Sequence, residues 1–119
     1  MKYMVLIAGP EDRPGENEAD RAAAYQRILA WWGEQSATGK ILDGAELQPS
    51  ETATTVRRDA TGNVTVTDGP FIEAKEVVGG YALIDVADLD EAIALVSGWP
   101  SSASLEIRPL VNQDGTDPS

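Results

Sequence analysis

Three patterns in the sequence predict a single α+β domain. Two short runs, Lys2 to Ala8 and Val77 to Val86, are apolar on both alternating faces and read as buried strands. Two other stretches, within 19–37 and after Asp88, carry apolar residues at helical spacing. Between them lie Thr- and Val-rich runs broken by turn residues. A chain of 119 residues suits one core and would starve two, and 42% hydrophobic with 24% charged residues is ordinary globular composition.

In order along the chain, the first strand ends at Gly9-Pro10, and the charged, Pro- and Gly-rich stretch 11–18 reads as a loop bordering a cleft. Asn17 or Asp20 then caps a helix whose apolar stripe is Tyr25, Ile28, Leu29 and Trp32. Trp31, beside that stripe, either widens it or faces a partner surface. Gly39 stops the helix. Residues 40–47 form a second strand with Gly44 inside it, and 52–58 and 63–67 form a hairpin around Asp59-Ala60-Thr61-Gly62. The strand 77–86 is central. Asp88 to Glu91 has the form of a capping box, opening a helix with the stripe Leu89, Ala92, Ile93 and Val96. In the last strand Leu105, Ile107 and Pro109 alternate with Glu106 and Arg108, and a polar tail, 112–119, follows the domain of residues 1–111.

Removing the hairpin leaves the βαββαβ order of a ferredoxin-like domain, in which both helices cover one face of an antiparallel sheet. Because the first and central strands are apolar on both faces, the uncovered face calls for a partner subunit, and a homodimer is expected.

Composition excludes several chemistries. Cysteine is absent, which removes disulfides, thiol nucleophiles and thiolate metal sites and makes a cytoplasmic location the expectation. Histidine is absent too, so catalysis would rest on Asp, Glu, Tyr, Lys or Arg, and a metal would need oxygen ligands; none of the acidic residues has calcium-loop spacing, and no metal or other cofactor is expected. A net charge of −11, without a basic stripe, argues against nucleic-acid binding and reads first as solubility. The apolar run Tyr3 to Ala8 is far short of the ~20 residues of a membrane span, so neither export nor anchoring is expected.

Several residues have a structural and a functional reading side by side. Asp68-Gly69-Pro70-Phe71 makes a good turn with Phe71 as its core anchor, yet Asp68 also suits a cleft carboxylate. Glu73, Lys75 and Glu76 read as solvated surface; if their loop folds over the sheet, Lys75 becomes a desolvated cation or pairs with Asp68 and moves a proton without histidine. Gly79-Gly80 marks a bulge or close packing, or leaves room for a ligand with Tyr81 as a polar tip. Arg108 and Glu106, on the face away from the helices, form an ion pair, or Arg108 binds a carboxylate or phenolate. Asp43 and Glu46 flank Gly44, either as a simple bend or as paired carboxylates. The candidate catalytic set is therefore Asp68, Lys75 and Tyr81, and the candidate ligand-binding set Asp43, Glu46, Phe71, Glu73, Gly80 and Arg108.

Six motifs occur in one order: Gly44-Ala45-Glu46-Leu47-Gln48-Pro49, Ala53-Thr54-Thr55-Val56-Arg57, Thr67 to Phe71, Glu73-Ala74-Lys75-Glu76, Gly79-Gly80-Tyr81 and Glu106-Ile107-Arg108-Pro109. Over nearly its whole length the chain resembles the YCII-related family in its Asp-Gly-Pro-Phe (DGPF) branch. That resemblance implies a ferredoxin-like fold pairing into a dimeric α/β barrel, with a cleft for small-molecule chemistry; with Asp68 and Tyr81, Lys75 or Arg108 in that cleft, the expectation is a small-molecule-binding protein or cofactor-free enzyme acting on an oxygenated ring compound. The broader family carries a histidine and aspartate pair, and this chain has no histidine to supply one. The resemblance also implies an alternative: an accessory partner of an alternative sigma factor, its acidic surface meeting a basic protein face.

Overall fold

Alternation and capping place the elements where the sequence puts them, with ends shifted by one or two residues. The structure, a computed structural model, describes residues 1–11, 15, 17–70 and 76–111. The order is β1 (Lys2–Gly9), α1 (Glu18–Ala37), β2 (Ile41–Glu46), β3 (Thr54–Arg58), β4 (Val64–Asp68), β5 (Val77–Asp85), α2 (Leu89–Val96) and β6 (Ser104–Pro109), with one 3-10 turn at Ser50–Thr52. Lys40, Leu47, Thr52, Ala53, Asn63 and Val86, expected in strands, lie just outside them.

Strands β2, β5, β1 and β6 form one sheet in that spatial order, all neighbours antiparallel. This is the βαββαβ arrangement, with β3 and β4 pairing separately as the inserted hairpin. The register sorts each strand's side chains by period two. Tyr3 and Val5 of β1, Ile41 of β2, and Ala82 and Ile84 of β5 are buried beneath the helices with Ala92, Leu95 and Val96 of α2. Ile7, Leu105 and Ile107 pack against this core. Burying the full side chains of Val5 and Ile84 is worth roughly 1.5–3 kcal/mol each.

The opposite face has no helix over it among the described residues. Met4, Leu6 and Ala8 of β1 lie there beside Leu83 and Tyr81 of β5, all only half-buried. Asp43 of β2 and Arg108 of β6 sit at the two ends of the row through Leu83 and Met4.

Both helices start as their caps require. The Asn17 carboxamide oxygen accepts from the Asp20 amide at 2.8 Å, and the Asp88 carboxylate accepts from the Glu91 amide at 2.9 Å. The Glu91 carboxylate in turn accepts from the Ala87 amide at 3.3 Å, one residue before the position an ideal capping box would use. In α2 the buried positions are Ala92, Leu95 and Val96, whereas Leu89 and Ile93, expected in the stripe, project outward. Two turns of helix present only one narrow strip to the sheet, and Leu95 takes the place the pattern gave to its neighbours.

The hairpin stands apart. Val56, Val64 and Val66 share one face of it and are about half to two-thirds exposed. Its turn is built by Asp59, whose carboxylate accepts from the Thr61 hydroxyl at 2.7 Å and from the Thr61 and Asn63 amides at 2.9 Å, while Gly62 supplies the positive φ of 88°. The radius of gyration, 16.8 Å, exceeds the roughly 13.5 Å of a compact domain of this length, as a projecting ribbon requires.

Candidate functional site

Helix α1 has twenty residues and none is buried. Its C-terminal half is held by two tryptophans. Trp31 packs edge-on against Trp99 at 5.3 Å between ring centres and against Trp32 at 6.3 Å, so it widens the apolar face of the helix. Trp32 lies on the backbone of β2 at Gly44. A methyl group there would come within 2.5 Å of the Trp32 ring and of the Tyr81 carbonyl oxygen, so only glycine fits. The helix before Trp31 has no such anchor, and Tyr25 and Leu29 remain 46% and 48% exposed.

The space beneath the middle of the helix, from Tyr25 to Trp32, is a groove of about 810 Å³, within the range of small-molecule sites. One wall is Tyr25, Ile28, Leu29 and Trp32 of α1, and the floor is Ile7 with Gly79 and Gly80. The whole of Gly44-Ala45-Glu46-Leu47-Gln48-Pro49 forms the second wall, and Trp99, Ser101 and Ser102 close the far end. Glu11, the first residue of the loop expected to border a cleft, borders it, as does Pro10 just after β1.

The glycine pair has a double structural cause. Gly79 is the extra residue where β5 bulges against β1, because Ile7 pairs with Gly80 and Ala8 with Val78. Gly80 meets the neighbouring strand closely: a methyl there would sit 3.1 Å from the Ala45 carbonyl oxygen. Bulge and close approach together keep the floor free of side chains at these two positions. In β2 the register also slips between Ile41 and Asp43, and the Asp43 carboxylate accepts from the Gly44 amide at 2.8 Å, which is the bend read from Asp43-Gly44.

The remaining candidates are dispersed. Glu46 and Gly80 line the groove. Asp43, Tyr81 and Arg108 belong to the uncovered face on the other side of the sheet. There Arg108 lies 3.8 Å from Glu106, both side chains well exposed at 71% and 63%, a pair worth little in water. Asp68 ends β4 on the hairpin, and the turn after it is held by its neighbour: the Gly69 amide donates to the Ala53 carbonyl at 2.8 Å and the Thr55 hydroxyl to the Gly69 carbonyl at 2.7 Å. Phe71, Glu73 and Lys75 lie outside the described residues. A single chain therefore does not bring Asp68, Tyr81 and Arg108 around one cavity.

Three groove carboxylates come from different segments. Glu11 is engaged, accepting from the Ser50 amide at 2.6 Å and the Ser50 hydroxyl at 2.8 Å, which ties the base of the hairpin to the end of β1. The side-chain carboxylates of Glu46 and Glu51 make no hydrogen bond or ion pair with another described residue. No three acidic side chains converge as a metal site would require among the described residues, and none of their helices is long and apolar enough to cross a membrane.

One further finding covers nearly the whole sequence: the model of the YCII-related domain matches residues 1–112. The chain belongs to the YCII-related family. The uncharacterized protein R00369 of Rhizobium meliloti (strain 1021) is 46% identical to this YCII-related chain over 76 residues. The alignment covers 60% of this chain and 60% of that protein's own length.

Neither the aromatic residues Tyr25, Trp32 and Trp99 nor the serines at the far end stood among the candidates read from sequence. Tyr25 and Trp32 were present in the sequence only as members of the helical stripe, which reads as packing.

Proposed function

We propose that this protein, within the DGPF branch of the YCII-related family, binds a small organic molecule in the groove between α1 and the sheet. One coincidence carries the reading: the segment 44–49, which bears the family resemblance, forms one whole wall of an 810 Å³ cavity. A segment needed only for strand pairing has no reason to line a groove from end to end. The reading favours binding over catalysis in the isolated chain, because neither Asp68 nor Tyr81 is among the described residues lining the groove.

Native mass spectrometry after incubation with a cellular small-molecule extract tests it. The wild-type protein retains an adduct, and Leu29→Trp, which fills the groove, does not. Adducts that persist equally in Leu29→Trp, or that form with neither protein, refute the reading.

A homodimer is the second part of the proposal, favoured by the uncovered sheet face. Met4, Leu6, Tyr81 and Leu83 give it an apolar centre, and its two edges carry opposite charges at Asp43 and Arg108 in one row. A twofold axis parallel to the strands would set each Asp43 against the other copy's Arg108, so the face is self-complementary. Light scattering should give twice 12.7 kDa for the wild type and 12.7 kDa for Leu83→Asp. A wild-type protein that is monomeric at micromolar concentration removes this part.

A further inference from the structure

We infer that the groove selects organic cations: its ligand carries a protonated amine or other positive centre on an aromatic or alicyclic body. The inference rests on the groove being a ligand site and adds the chemical class of the ligand. Three observations carry it, and they are independent.

The groove is the size of a small organic molecule, at about 810 Å³, and its walls are mostly apolar, so they favour a carbon body over a hydrated ion. Three aromatic side chains, Tyr25, Trp32 and Trp99, come to it from two separate parts of the chain. Aromatic faces carry negative potential and attract cations, tryptophan most strongly. Finally, the charge of the described lining has one sign. Glu11, Glu46 and Glu51 are there, and no lysine or arginine is among the described residues of the lining.

The carboxylates are not equivalent. Glu11 already accepts two hydrogen bonds from Ser50 and serves the local fold. The carboxylates of Glu46, at the end of β2, and Glu51, in the 3-10 turn, have no partner among the described residues and are available to a ligand. A carboxylate beside an aromatic wall stabilises a cation and repels an anion, so both features discriminate in the same direction. An anionic ring compound keeps whatever its ring gains by stacking but meets like charge and gains no cation–π attraction.

The test uses three probes of one shape and different charge: naphthylethylamine, naphthylethanol and naphthylacetate. Binding is read by calorimetry and by quenching of tryptophan emission at pH 7 and low ionic strength. The amine should bind about tenfold or more tighter than the alcohol, with the carboxylate weakest. The double variant Glu46→Gln/Glu51→Gln should remove most of the amine's advantage and leave the alcohol unchanged. Glu34→Gln, a helix carboxylate outside the groove, should change none of the three affinities.

Naphthylacetate or naphthylethanol binding as well as the amine overturns the cation preference while leaving the groove a ligand site. Weakening of the amine by Glu34→Gln as large as that of the double variant also overturns it, since the attraction would then come from the net charge of −11 as a whole. Binding of none of the probes refutes both the preference and the groove reading.

Discussion

The two helices cover the same face of the sheet in opposite ways. Helix α2 has eight residues and buries three of them, Ala92 completely. Helix α1 has twenty and buries none. The short helix closes its half of the sheet against the core, while the long one is pinned at Trp31 and Trp32 and stands away from the rest. Helix length is therefore no measure of packing here. The half of the face left open by the longer helix is the half that holds the groove, and its apolar stripe serves as a wall instead of a core.

The sharpest way to break this contrast is to insert a charge at each helix's inward face. Ala92→Asp places a carboxylate in a fully buried position and should cost more than about 3 kcal/mol, read as loss of the cooperative melt. Tyr25→Asp, on the groove wall, should leave the protein folded. Equal losses at both positions would mean that α1 is packed as α2 is.

The anchoring of α1 is tested at Gly44. Gly44→Ala forces a methyl group into the Trp32 ring and should destabilise by roughly 1–3 kcal/mol in urea unfolding. Trp32→Leu in the same background should recover part of that loss, since a smaller side chain relieves the clash. An unaffected Gly44→Ala protein would show that Trp32 is not held on β2. A smaller effect is expected at Leu29: Leu29→Ala should change stability by less than about 1 kcal/mol, because half of the side chain is already in water.

The smallest effect lies in the hairpin, which belongs to neither half. The Thr61 hydroxyl, followed by the Asn63 amide, holds the Asp59 carboxyl below its ordinary value of 3.8. A group whose native value is depressed contributes stability above its unfolded value, and that contribution is lost as pH falls through the native one. Amide exchange at Thr61 and Asn63 should thus accelerate as pH falls below about 3.8, after correction for intrinsic rates, and Asp59→Asn should abolish the pH dependence. The main sheet should show no change linked to Asp59.

Much of the fold was legible because it is periodic. Short unbroken apolar runs located β1 and β5, alternation located β6, the turn residues located the hairpin, and the side-chain caps fixed both helix starts. The groove was not legible in the same way. The stripe Tyr25, Ile28, Leu29 and Trp32 reads identically whether it meets a sheet or lines a cavity, and the difference depends on Trp32 finding Gly44 across the fold. Period two also separates neighbours that look alike in sequence: Glu46 borders the groove while Asp43, three residues before it, lies on the other face. The glycine pair gave the clearest local signal, since a bulge and an open floor both require it.

Where the hairpin leaves the main sheet, the Leu47 amide donates to the Gly79 carbonyl at 2.8 Å. The two ends of the 29-residue excursion between Leu47 and Val77 are therefore already neighbours in one antiparallel ladder. In topological terms the excursion is a side branch: β2 and β5 form a hairpin of their own, and the ribbon is spliced into its turn. Residues in that branch can lengthen, shorten or exchange without moving a strand of the sheet. The fold thus separates the part of the chain that must keep its register from a part free to change what the protein meets.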